Sequence, residues 1–99
     1  MDDRIPPAVM QVTVYLHGAF RARAGFRSTV CDVPAGTDVR GLLLRLDEQA
    51  SEPISELLTG AGHDAARVMV NGRWLTGSDL GMPLADGDRV DLLMALAGG

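Results

Sequence analysis

Two stretches of strict alternation bracket the chain. From Met10 to Leu16 every second residue is apolar (Met10, Val12, Val14, Leu16), and Val90, Leu92, Met94 and Leu96 repeat the pattern near the other end. Successive side chains of a strand point to opposite faces, so each stretch reads as a strand with one buried face. Between them lies a segment of different period. Val39, Leu42, Leu43, Leu46 and Ala50 fall at i, i+3, i+4, i+7 and i+11, a single apolar stripe on one helix. These three segments demand a sheet that includes strands from both ends of the chain, with one helix laid across its apolar face. The first and last strands are the most uniformly apolar on one face. They are therefore placed side by side in the centre of the sheet, where the crossing helix allows them to run parallel.

Shorter signals fill in the order. Arg27 to Val33, rich in β-branched residues, reads as a second strand forming a hairpin with the first, across a loop holding Gly18 and Gly25. Pro34 to Gly36 supplies a turn, Thr37 an N-cap for the helix and Asp38 a negative charge in its first turn. Gly41 inside that helix costs about 1 kcal/mol against alanine, which packing must offset unless something lies close to it. "SEPISELLTG" reads as a short second helix, capped by Ser51 or Glu52, with Pro53 in its first turn, Ile54, Leu57 and Leu58 inward and Gly60 as its stop. "RVMV" and "RWL" flank Asn71-Gly72, the dipeptide suited to a two-residue type I′ hairpin. Asp86-Gly87 marks the turn before the final strand, with the Asp86 side chain expected to bond backbone two residues on. The order is ββαβββ. Residues 1–9 read as a flexible lead-in with Pro6 and Pro7, 10–96 as the folded domain and 97–99 as a flexible tail.

Composition narrows the function. With 99 residues, 46% of them apolar, the chain can bury one modest core but not a deep enclosed active site. A formal charge of −4 and scattered arginines speak against a nucleic-acid partner, and an acidic surface suits a partner with a basic face. No stretch approaches the roughly 20 apolar residues that cross a bilayer, so no membrane partner is expected. One cysteine, Cys31, has no partner for a disulfide, which points to a reducing cytoplasm. All nine basic residues are arginine, so the chain has no lysine nucleophile.

The residue types of catalysis are present without their constellations. His17 and His63 sit in expected loops, the serines in no nucleophile elbow, and a Cys31/His17 dyad has only the nearness of strand ends in its favour. Cys31 reads as a small core residue. Asp86, Asp88 and Asp91 match no calcium loop, no His/Cys spacing fits a structural metal, and "GAGHDAAR" lacks the strand and helix that a phosphate cradle needs. No catalytic residue, metal or bound cofactor is expected. Gly98 and Gly99 differ in kind. Without Cβ atoms they can thread a slot too narrow for any other residue and present a terminal carboxylate to a reagent held by a partner. A carboxylate becomes reactive once its oxygen is made a leaving group, as adenylation by ATP does.

Val70-Asn71-Gly72, Leu84, Asp86-Gly87-Asp88, Val90 and Gly98-Gly99 occur in an order and spacing that resembles the ubiquitin-like sulfur-carrier family, which includes the small subunit of molybdopterin synthase and the thiamine-biosynthesis sulfur carrier (MoaD/ThiS-like). "VTVYLHGAFRARAG" and "AGTDVRGLLLRL" extend the resemblance to about residues 10–99. It implies an α+β, β-grasp fold: a mixed sheet of four to five strands, one main covering helix and a short second one. It also implies a carrier and not an enzyme. An adenylyltransferase related to ubiquitin-activating enzymes would spend ATP to make an acyl-adenylate of Gly99, and a persulfide donor would replace AMP to leave a thiocarboxylate. A synthase or its large subunit would accept the sulfur. Gly99 would hold the sulfur and Gly98 provide the slim approach.

The sequence departs from the molybdopterin type at Met94-Ala95-Leu96-Ala97, where that type tends to carry a proline and a small polar residue. The thiamine type is usually shorter, lacking "SEPISELLTGAGHDAA", so length favours the molybdopterin-like branch or a specialised carrier for cysteine, another thio-metabolite or a natural product. Docking is expected on the outward face of the last strand through Leu93, with Ala95, Leu96 and Ala97 beside it. A second layer burying Leu93 is the alternative. Trp74 reads as a packing residue. Two other functions fit the same chain: a ubiquitin-like modifier conjugated through Gly99, and a β-grasp interaction subunit that is never activated.

Overall fold

The first strand, β1 (Val9–Leu16), buries Met10, Val12, Val14 and Leu16 at its alternate positions and pairs with a strand on each side. The computed structural model describes residues 9–59, 66–75 and 77–94. In chain order β1 is followed by α1 (Gly18–Ala24), β2 (Ser28–Pro34), α2 (Val39–Asp47), α3 (Glu56–Thr59), β3 (Ala66–Val70), β4 (Arg73–Trp74), a 3-10 turn at Gly77–Gly81, and β5 (Arg89–Met94). The sheet order is β2-β1-β5-β3-β4. β1 and β5 are parallel neighbours, in register from Thr13↔Arg89 to Leu16↔Leu92, and every other pairing is antiparallel. Both ends of the described chain thus meet in the middle of the sheet, as the alternation demands.

α2 covers one face of that sheet. Its stripe of Val39, Leu42, Leu43 and Leu46 is buried against Val12, Val14, Val33, Val90 and Leu92, with Ala50 half-buried at its edge. Fully burying a side chain of this size stabilises by roughly 1.5–3 kcal/mol. Cys31 belongs to the same core, 2% exposed, and burial pushes its thiol pKa up. Among the described residues no helix is long and apolar enough to cross a membrane.

Four local readings change. The expected loop at Gly18 is the helix α1, which drops Phe20 and Ala24 into the core and ends at Gly25 in the left-handed region (φ 87°). A stripe of two positions between glycines is too short to show as periodicity. The N-cap of α2 is Asp38 and not Thr37: the Asp38 carboxylate accepts from Gly41 N–H at 2.8 Å, while the Thr37 hydroxyl donates to Pro34 O and closes the preceding turn. A Cβ on Gly41 would stand 2.9 Å from Thr37 Cγ2, so a close approach explains this glycine.

α3 starts at Glu56 instead of near Pro53, because Asp47 from the end of α2 accepts from the Ile54 and Ser55 N–H groups (2.7 and 3.0 Å) and fixes that bend. Ile54 is fully buried and Leu57 half-buried as expected; the Leu58 side chain and Gly60 lie outside the description. Asp86 does not bond its own turn. Its Oδ1 accepts from Gln11 N–H at 2.7 Å, tying the turn to β1, and Asp88 closes the turn by accepting from Ala85 N–H at 2.8 Å.

Candidate functional site

β5 is the last described element before Gly98-Gly99, the pair the sequence singles out. β5 lies between β1 and β3, and its start is fastened from both sides. Asn71 and Gly72 take positive φ (52° and 83°), giving the tight turn of the β3–β4 hairpin. The Asn71 side chain then reaches the start of β5: Nδ2 donates to Asp88 Oδ1 at 2.8 Å and Oδ1 accepts from Arg89 N–H at 2.9 Å. From the opposite side Gly87 N–H donates to Gln11 O at 2.8 Å. With its start clamped, β5 pairs with β1 as far as Leu92 and with β3 as far as Met94, opposite Ala66, so its register is fixed from both sides.

Ala95, Leu96, Ala97, Gly98 and Gly99 lie outside the described residues. Leu93 is described: it stands on the face away from α2, opposite Arg67 of β3, and is half-buried. Alternation puts Met69 and Trp74 on the same face, opposite Asp91 and each other. Trp74 is 52% exposed and so packs with only part of its surface.

Beside Leu93 on β5 sits a charged group that no motif announces. Asp91 is only 8% exposed, and its carboxylate accepts from Arg89 at both oxygens (Nε 2.9 Å, Nη2 3.2 Å) and lies 3.0 Å from His17 Nε2. The Arg89 guanidinium covers the Tyr15 ring, 4.1 Å from its centre. Hydrogen bonding from Arg89 first, opposed by burial and helped by His17, holds the Asp91 carboxyl below the usual carboxylate range. Asp91 therefore does not join Asp86 and Asp88 in a turn cluster. The legible signal was Arg89 two residues before Asp91 on a strand, which places both on one face. The Cys31/His17 dyad does not form, since His17 caps the start of α1 beside Asp91 while Cys31 faces the core. Among the described residues no group of His, Cys, Asp or Glu is placed to hold a metal ion. His63 lies outside the described residues.

A five-stranded mixed sheet with a central parallel pair and one covering helix is the β-grasp fold of ubiquitin-like proteins. The ThiS family model matches residues 14–99, and the chain belongs to that family. Solved structures agree on the fold. The Haloferax volcanii HVO 2177 protein matches with a TM-score of 0.75 at 25% identity, over 100% of this chain and 94% of that one. Subunit 1 of a molybdopterin converting factor from Pyrococcus furiosus matches with a TM-score of 0.67 at 22% identity, over 88% and 99%. A complex of subunits 1 and 2 of molybdopterin-converting factor from Helicobacter pylori matches with a TM-score of 0.55 at 24% identity, over 91% and 100%. No curated protein is matched by the sequence.

Proposed function

We propose that the chain is a sulfur carrier whose Gly99 carboxyl group is adenylated by a partner enzyme and converted to a thiocarboxylate. The observation that carries this reading is the ThiS-family match over residues 14–99, which takes in β5 and Gly98-Gly99 together. The fastened start of β5 is consistent with it, since the strand that precedes Gly98-Gly99 in the sequence is anchored to the sheet at Asp88 and Arg89.

The chemistry belongs to partners. The carboxylate oxygen of Gly99 attacks the α-phosphorus of ATP, and pyrophosphate leaves. The terminal sulfur of a donor's persulfide then attacks the acyl carbon and AMP leaves, giving an acyl disulfide. A second thiol cleaves that bond, releasing the thiocarboxylate and a protein disulfide. ATP is consumed by the activating enzyme, and this chain binds no cofactor. It acts as carrier and substrate in a reducing cytoplasm, and a synthase or its large subunit receives the sulfur; the pairing of subunits 1 and 2 in the Helicobacter molybdopterin-converting factor complex supports a second-subunit partner. Leu93 anchors these partners, with Ala95, Leu96 and Ala97 following it into the partner's groove.

Incubation with ATP, an adenylyltransferase related to ubiquitin-activating enzymes and a persulfide donor should replace one oxygen by sulfur in the intact mass. Deleting Gly98 and Gly99 should abolish the change and leave the fold intact. No mass change with any such enzyme refutes the reading. Gly99 recovered in isopeptide linkage to lysines of other proteins would make the chain a modifier, and full function of the deletion variant would make it an unactivated interaction subunit.

A further inference from the structure

The outer side of α1 carries positive charge that the fold leaves unpaired. Arg21 and Ala22 lie on the exposed side of α1, turned away from the buried Phe20 and Ala24, between Gly18 at its start and Gly25 just past its end. With Phe26 and Arg27 they line a shallow concavity of about 540 Å³ that includes no carboxylate. Arg23, between the two arginines, is engaged: its Nη1 donates to Glu56 Oε1 and to Pro53 O, each at 3.1 Å. Among the described residues the side chains of Arg21 and Arg27 have no hydrogen-bond or ion-pair partner. Two solvated guanidinium groups thus flank an apolar floor of Ala22 and half-buried Phe26, on a chain whose formal charge is −4.

Position gives this patch its meaning. α1 leaves β1 where Leu16 pairs with Leu92, His17 N–H donates to Leu92 O at 3.0 Å, and α1 packs on β5. The concavity therefore flanks the end of the sheet at which β5 reaches Met94, five residues before Gly99 in the sequence. We propose that the Arg21/Arg27 concavity docks a carboxylate-bearing surface of the enzyme that activates Gly99, an inference that rests on the activation proposed above. A guanidinium fork matches a carboxylate with two parallel hydrogen bonds. The concavity is shallow and its arginines exposed, which suits a protein surface brought in by long-range attraction more than a small anion held by burial. Such rim charges act chiefly on the rate of encounter and on its salt dependence.

The test uses an adenylyltransferase already shown to activate the wild-type chain, with pyrophosphate release as readout. R21E/R27E should lower kcat/KM by about tenfold or more at low salt, in line with the size of electrostatic steering. The wild-type rate should fall between about 20 and 300 mM NaCl, as the screening length shortens, and the variant's rate should stay nearly flat. R40E makes the same kind of charge change at an exposed site on α2 and should cost less than about twofold. R21Q/R27Q should lie between, and it preserves the test if the glutamates disturb folding as read by circular dichroism. An activated wild type with R21E/R27E indistinguishable from R40E overturns the docking site alone. Titration with inorganic phosphate that perturbs the Arg21 and Arg27 side-chain signals, with unaltered kinetics in both variants, overturns it in favour of an anion site. A wild-type chain that no adenylyltransferase activates refutes the carrier reading itself.

Discussion

Replacing Asn71 tests how the start of β5 is held. Its backbone is left-handed at φ 52°, and its side chain makes two bonds, to Asp88 Oδ1 at 2.8 Å and from Arg89 N–H at 2.9 Å. Alanine in that conformation costs roughly 1 kcal/mol more than asparagine, because its Cβ crowds the following carbonyl and no side-chain bond compensates locally. Each lost bond, being exposed, costs about 0.5–1 kcal/mol. N71A should therefore destabilise by about 2–3 kcal/mol, a Tm drop on the order of 15 °C for a domain of this size. N71G keeps the positive φ freely and loses only the bonds, so its cost should be about 1–2 kcal/mol. Urea denaturation followed by far-UV circular dichroism separates the two, with an unchanged m value showing that both variants unfold from an equally compact fold. If N71G is as stable as the wild type, the side-chain clamp contributes nothing. If N71G and N71A cost the same, the left-handed backbone contributes nothing.

Other perturbations probe the core, the end of α1 and the Arg89–Asp91 pair. L46A empties a fully buried position on α2 and should cost about 2–5 kcal/mol by denaturant titration, against less than about 1.5 kcal/mol for L46M. G25A places a Cβ 2.8 Å from Ser51 Oγ at φ 87°, so it should destabilise by at least about 1 kcal/mol; S51G would relieve only the contact and not the backbone strain. Asp91 has its pKa lowered by folding, so its stabilisation is present above the ordinary carboxylate value of 3.8 and is lost as pH falls through the lower folded value. A Tm profile from about pH 6 to pH 2 should show that loss in the wild type and a shallower one in D91N; equal acid slopes would contradict the Arg89–Asp91 pairing.

What the sequence displayed was what repeats. Val12, Val14, Val90 and Leu92 declare their strands because a sheet enforces period two over many residues, and the α2 leucines declare a helix in the same way. Asn71-Gly72 was legible because few dipeptides tolerate its backbone. What stayed hidden depends on partners far away in the chain. Asp47 caps a segment seven residues on, Asp86 reaches Gln11, and Asp91 meets His17 only once β1 and β5 lie side by side. The nine arginines look alike in sequence, and only the fold separates Arg23, taken by Glu56, from Arg21 and Arg27. Gly98-Gly99 was legible as a pair, and it gains meaning through the family to which residues 14–99 belong.

The most direct test is to find the sulfur. Arg89 is the last basic residue, so trypsin releases Val90–Gly99 as one peptide from the chain treated with ATP, adenylyltransferase and persulfide donor. Fragmentation of that peptide should show sulfur in place of one oxygen on the Gly99 carboxyl group and every earlier fragment unchanged. An unmodified Val90–Gly99 peptide, or sulfur found on Cys31 in its own tryptic peptide instead, would refute Gly99 as the sulfur carrier.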